Sequence, residues 1–457
     1  MPKLSEHPNA PDSDATIRGI VLGFLPTRAL HWVGAGLAFG AVGIAGAAAV
    51  MLTGVLDLSA TAPHPEGWAR VLHGTFQRSV AAHAEPLPAS VSLDDPAMIM
   101  LGAAHYANVC ATCHGAPGIG QNPVALSMRP EPPMLLEAAN TYSDGELFHI
   151  VDGGVRYSAM PAWPVSNRPD EVWAVVAFLK ALPGMDRARY EQLAFGDDGP
   201  ATTLAATGTD GSSLRGKGQR PYLPGDAQSI FASPHAADRP ATGFVNLRPM
   251  ESIASACVSC HGADGAGRSG GAAPNLTLQS PEYLTQSLNA FASGDRQSGI
   301  MWPVAANLSP DDIKRLARDI GGAEAKPSRG PSLDGEVDPQ LLARGQEIAL
   351  KGIPAGERAS ADVSPGVPTA AAVQACQGCH GDVADRAAAM PQIAGQNQTY
   401  LANQMRLFRD HGRGNSLTYN PMSIVSHRLA DPDIDALATY YASLPPHKEG
   451  GAGTAKN

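Results

Sequence analysis

Positive charge is in short supply in this chain. Its 457 residues hold 33 Lys and Arg against 43 Asp and Glu, a formal net charge of −10. A nucleic-acid partner needs a basic face to neutralise phosphates, so the balance argues against that class. A weakly acidic surface suits docking to a basic protein partner instead. Aromatic residues are scarce at 5%, while Gly (49) and Pro (39) are abundant. That composition points to small, turn-rich domains joined by loose linkers, two to four of them at this length.

Spare cysteine is absent as well. Six cysteines would allow three disulfides. All six, however, fall in three copies of one pentapeptide: Cys110-Ala-Thr-Cys113-His114, Cys257-Val-Ser-Cys260-His261 and Cys376-Gln-Gly-Cys379-His380. A zinc site would require a second ligand pair nearby, and a thioredoxin-like pair a βαβ context; neither is visible. Two cysteines three apart reach the two vinyl groups of one haem and form thioethers. The adjacent histidine then sits under the iron as its proximal ligand. The motifs therefore predict three covalently bound haems c, on Cys110 and Cys113, Cys257 and Cys260, and Cys376 and Cys379, with His114, His261 and His380 as iron ligands. Gly115, Gly262 and Gly381 follow directly, where a residue without Cβ lets the backbone turn sharply beside the macrocycle.

Charge is missing altogether from Trp32 to Leu56, 25 residues that would rise about 37 Å as a helix and span a bilayer. Ala60-Thr61-Ala62 imitates a signal-peptidase site, but the apolar run is longer than a signal peptide needs and Pro63 follows it. The reading is a retained anchor. Lys3, Arg18 and Arg28 precede it and Asp57 follows, which keeps the N-terminus cytoplasmic and places everything from about residue 58 in the periplasm. Haem is attached to cysteines in that compartment in bacteria, so the expected location is the inner membrane, single-pass.

Methionine is the usual sixth ligand of an electron-transfer haem. Met301 lies 40 residues beyond His261 and is the first methionine after it; Met160 lies 46 beyond His114 and Met422 lies 42 beyond His380. Pro169, Pro310 and Pro432 follow these methionines by 9, 9 and 10 residues, each with acids beside it, and so mark helix starts. Ser309 and Asp312 have capping-box spacing. Apolar positions then recur at helical spacing in Val172, Val175, Val176 and Leu179, and in Ile434, Leu437 and Tyr441. Met128, Met134, His149, Met390, Met405, His411 and His427 lack the repeated distance to a following helix and are read as packing or surface residues. Pro133, Pro274 and Pro391 lie in the loop between, where a proline carbonyl is placed to accept a hydrogen bond from the histidine's other ring nitrogen.

The expected fold is mainly α: an N-terminal transmembrane helix followed by three small all-α domains. The segments are 1–31 cytoplasmic, 32–56 anchor, 57–91 stalk, 92–183 first domain, 184–224 linker, 225–322 second domain, 323–338 linker, 339–446 third domain and 447–457 disordered tail. The first linker is long enough to let the first domain move relative to the other two.

These motifs resemble class I cytochromes c three times over. The first domain resembles the single-haem type, through Gly102, Tyr106 and Ser158-Ala159-Met160-Pro161-Ala162-Trp163. The second and third resemble the two halves of diheme periplasmic cytochromes c, through the matched steps Tyr283 to Phe291 and Tyr400 to Phe408 and the ending Leu437 to Pro445. The stretches Ser233 to Ala254 and Ile353 to Ala371, ahead of the second and third haem motifs, depart from the compact pattern.

Three irons with two protein ligands each leave no open site for substrate, so the reading is a carrier of single electrons. Its expected partners are a periplasmic or membrane dehydrogenase or a quinol-oxidising complex on one side, and an acceptor such as a terminal oxidase on the other. The rival class is a haem enzyme, a peroxidase or sulfur-compound oxidoreductase, in which one haem loses its distal ligand.

Overall fold

The computed structural model describes residues 13–55, 57, 59, 67–196, 253–329, 337–356, 372–381, 390–410, 412–413 and 420–446. The chain divides into two units, Met1–His64 and Pro65–Asn457. The insertion ahead of the second haem motif up to residue 252, most of the first linker and the C-terminal tail lie outside the described residues.

Among its described residues the first unit is one helix, Ser13–Thr53. Its stretch His31–Thr53 is long and apolar enough to cross a membrane. Trp32, Leu37, Phe39 and Leu52 stand exposed along it. The helix starts well before the expected Trp32 and includes Arg18 and Arg28. It closes at Thr53, after which Gly54 takes a left-handed φ of 65°.

The second unit is helical, and among the described residues no β-sheet forms. Around the first haem motif a leading helix, Pro96–His105, continues through a wide turn, Tyr106–Cys110, into Ala111–His114. A middle helix, Asp144–Gly153, opens on a capping box from Ser143 and Glu146. The closing helix, Pro169–Ala181, starts at the expected proline and buries Val172, Val175, Val176 and Leu179. Leading and closing helices cross so tightly that a Cβ on Gly102 would lie 2.0 Å from the Ala174 carbonyl oxygen.

The second region runs Ile253–His261, Pro281–Ser293, Met301–Ala306 and Pro310–Gly321, the last with the expected capping box. The third runs Pro339–Lys351, Gln377–His380, Gln398–Arg409, Pro421–Ser426 and Asp431–Ser443. Its leading and closing helices repeat the first region's crossing: a Cβ on Gly345 would lie 2.0 Å from the Ala436 carbonyl oxygen. The insertion here leaves and returns at one point, because Ile353 and Val373 exchange both backbone hydrogen bonds at 2.9 Å.

Three expectations about connecting segments change. The stretch read as a stalk contains a helix, Trp68–His83, packed on the middle helix of the first region, with Val80 buried and Phe76 edge-on to Tyr142. The first linker opens with another helix, Arg187–Phe195, whose Tyr190, Leu193 and Ala194 complete the first core. Finally, the first region is fastened to the second rather than loose. Arg268 reaches back to the added helix: its guanidinium donates to the carbonyls of Gln192 (2.7 Å) and Leu193 (2.8 Å) in that helix's last turn.

Candidate functional sites

None of the six cysteines is in a disulfide, and all are half-buried. Burial pushes the Cys110 thiol up to about 12, and the Cys257 and Cys376 thiols up to about 11. A thioredoxin-like redox pair works through a lowered thiol pKa instead. Among the described residues no group of three His, Cys, Asp or Glu is arranged to hold a bare metal ion. The zinc and thioredoxin readings therefore lose their structural basis.

Each motif's histidine is held in the same way. Nδ1 of His114 donates to Pro133 O at 2.9 Å, Nδ1 of His261 to Pro274 O at 2.9 Å, and Nδ1 of His380 to Pro391 O at 3.1 Å. A carbonyl only accepts, so the proton sits on Nδ1 and the lone pair on Nε2. Burial lowers the pKa of all three, against the carbonyl's opposing pull, so the rings are neutral. Three neutral imidazoles with oriented Nε2 lone pairs, each beside two unbridged thiols, fit covalent haem. Gly115 and Gly262 turn with φ of 71° and 74°, as expected, but Gly381 has φ −87° and needs no left-handed backbone.

The three candidate methionines are half-buried and differ in backbone setting. Met160 lies in irregular chain, Met301 begins a helix, and Met422 is the second residue of one. A shared device, missed from sequence, fixes each: the methionine N–H donates to Ser158 Oγ (3.1 Å), Ser298 Oγ (2.9 Å) or Asn420 Oδ1 (2.9 Å). The signal was a small polar residue two or three places before each methionine. Of the other residues weighed as ligands, His149 stacks on His83, His427 donates to the Arg409 carbonyl, and Met405 packs into the third core. His411 lies outside the described residues.

Two arginines mark the seam between the second and third regions. Arg296 donates to Tyr400 OH (3.2 Å) and Arg413 to Tyr283 OH (3.4 Å), each across the seam. Their guanidiniums lie over the rings of Phe291 and Phe408 at 4.3 and 4.5 Å. Among the described residues no carboxylate pairs with either. Burial pushes the Tyr283 phenol up, but the nearby positive charges of Arg413 and Arg296 outweigh it and pull it below its ordinary value. Such a donor set suits anionic groups, and haem carries two propionates.

A different pair of contacts binds the first region to the second. Glu171, 2% exposed, pairs with Arg168 at 2.7 Å and accepts from Ser298 Oγ and Gly299 N, both at 2.6 Å. Beside it Trp163 covers Gly299 so closely that no Cβ fits there. Trp163 also packs on His105, with ring centroids 4.9 Å apart, and burial lowers the His105 pKa to about 4. Sequence marks Glu171 only as an acid at a helix start and does not single out Arg168, His105 or Arg268, because these roles depend on contacts between regions.

Residues 97–179 match the family described as cytochrome C oxidase, cbb3-type, subunit III, and residues 251–318 the family cytochrome c. Cytochrome c4 of Pseudomonas aeruginosa is 30% identical over 215 residues, 46% of this chain and 90% of that protein. The chain belongs to the cytochrome c family. This cytochrome is also 29% identical over 192 residues, 42% of its length and 80% of the other's, to the thiosulfate dehydrogenase electron acceptor of Stutzerimonas stutzeri. Among solved structures, reduced cytochrome c4 from Pseudomonas stutzeri aligns at 25% identity with a TM-score of 0.32, covering 41% of this chain and 93% of that one. The expected all-helical cytochrome fold class holds, and the Cys pairs at 110/113, 257/260 and 376/379 fit three haems.

Proposed function

We propose that this cytochrome is a membrane-tethered, three-haem carrier of single electrons, with one haem in each of three domains. Cys110 and Cys113, Cys257 and Cys260, and Cys376 and Cys379 would form the thioethers. His114 and Met160, His261 and Met301, and His380 and Met422 would fill the axial positions. The observation that carries this reading is the threefold recurrence of a histidine Nδ1–H held by a proline carbonyl, beside two unbridged thiols.

When bound, each haem supplies a one-electron iron couple, which a methionine ligand biases towards high potential. The chain's own residues fix each imidazole in one tautomer and pin each methionine's backbone. They also hold three centres in one compact unit, with the second region fastened to the first through Glu171 and Arg268 and to the third through buried amides. The helix His31–Thr53 would tether that unit to the periplasmic face of the inner membrane. A relative named as the electron acceptor of a thiosulfate dehydrogenase supports a periplasmic dehydrogenase as the donor. A terminal oxidase would be the acceptor.

The test is gentle solubilisation of the native assembly, with haem counted per chain and copurifying proteins identified. Three covalent haems and a copurifying dehydrogenase support the reading. Fewer than three haems, or a chain that partitions as a soluble cleaved form, would overturn its cofactor or its anchor respectively.

A further inference from the structure

The seam between the second and third regions runs through the two peptide groups that hold the histidines. Pro274 O accepts the His261 Nδ1–H. The N–H of that same peptide group belongs to Asn275 and donates to Gln396 Oε1 at 2.7 Å, while Gln396 Nε2 returns a bond to Asn275 O at 2.9 Å. The reverse exchange is also present. Pro391 O accepts the His380 Nδ1–H, the adjoining Gln392 N–H donates to Gln279 Oε1 at 3.1 Å, and Gln279 Nε2 donates to Gln392 O at 2.8 Å. Each glutamine stands five residues after its own region's proline, so the exchange has the logic of a twofold axis. Asn275, Gln396 and Gln279 are 0, 2 and 5% exposed, so water does not compete for these bonds.

A peptide group whose N–H is engaged is more polarised and accepts more strongly at its carbonyl. A stronger acceptor at Nδ1–H makes the opposite ring nitrogen a more basic ligand. We propose that Gln396 and Gln279 are positioning residues exchanged between domains: Gln396 of the third sets the histidine ligand of the second, and Gln279 of the second sets that of the third. This rests on the reading of His261 and His380 as haem ligands. The first region supplies an internal comparison, because among the described residues no glutamine amide of another region meets the Met134 N–H beside the Pro133 carbonyl that holds His114.

A more basic histidine favours ferric iron, so removing the glutamine raises the potential of the haem in the other domain. The test uses the full haem-loaded chain carrying Gln396→Leu or Gln279→Leu. Midpoints are measured by potentiometric titration, and NMR follows the ring protons of the three histidines separately. Gln396→Leu is expected to give roughly a threefold higher Fe(II)/Fe(III) ratio at the parent midpoint for the His261 haem, the order that part of one net hydrogen bond supplies. It should also move the His261 ring protons and leave those of His380 and His114 in place. Gln279→Leu should do the same for His380. A change at the haem of the glutamine's own domain, or equal changes at all three, overturns the proposal.

The unmodified reduced protein gives a check that needs no variant. The Nδ1–H signals of His261 and His380 should lie further downfield than that of His114, and equal positions would overturn the proposal. Loss of the underlying haem-ligand reading would look different: His261→Ala would leave the parent's visible spectrum unchanged.

Discussion

The carboxylate of Glu171 closes over the backbone N–H of Gly299 at 2.6 Å, two residues before Met301. Its other oxygen accepts from Ser298, whose hydroxyl in turn accepts the Met301 N–H. A side chain at the start of one region's closing helix thus shapes the methionine turn of the next.

Replacing Glu171 with Ala should therefore cost about 3 kcal/mol, since it strands a buried N–H and weakens the compensation of Arg168. Denaturant unfolding of the full chain measures it. Glu171→Gln keeps the shape and one acceptor and should lose less. Parental stability in the Ala variant would show that the seam carries little load.

Acid should loosen the first region through His105. Its folded pKa of about 4 lies below the ordinary 6.5, because burial disfavours the charged ring. Between those values the unfolded chain binds more protons than the folded one, so stability falls as pH drops from 6.5 towards 4. The full effect is about 3 kcal/mol. Unfolding midpoints at pH 7 and pH 4.5 should converge in His105→Leu relative to the parent.

Gly102→Ala and Gly345→Ala should each destabilise by about 1–3 kcal/mol, because a methyl group would meet a backbone carbonyl in a helix crossing. Gly378→Ala is the control, with nothing within 4 Å of its added Cβ. Thermal melts that fail to separate the three variants would contradict the crossing geometry.

Carbon monoxide distinguishes a carrier from a haem enzyme. The reduced parent should bind none quickly if Met160, Met301 and Met422 are ligands. Each single Met→Ala change should open one equivalent, read by flash photolysis. Rapid stoichiometric binding by the parent would instead favour a catalytic haem.

Much of the helical framework was legible because its signals are local. Pro169, Pro310 and Pro432 announced helix starts, and Ser309 with Asp312 announced a cap; these need only neighbours in sequence. The proline carbonyls were legible because three loops repeat one pattern. The contacts between regions were not, because Glu171, Arg268, Gln279 and Gln396 are ordinary polar residues until a distant backbone meets them. Tyr190 hid for a related reason: its helix follows Pro183, a stop signal, and only the first core reveals that the chain turns back.

Ile353 and Val373 bring the chain back to its point of departure before it reaches the third motif. That exchange clamps the chain three residues ahead of Cys376, so the seat of the third motif is fixed by the two partners of one small bridge. Breaking it with Val373→Pro would free the approach to the motif while leaving the leading helix Pro339–Lys351 intact.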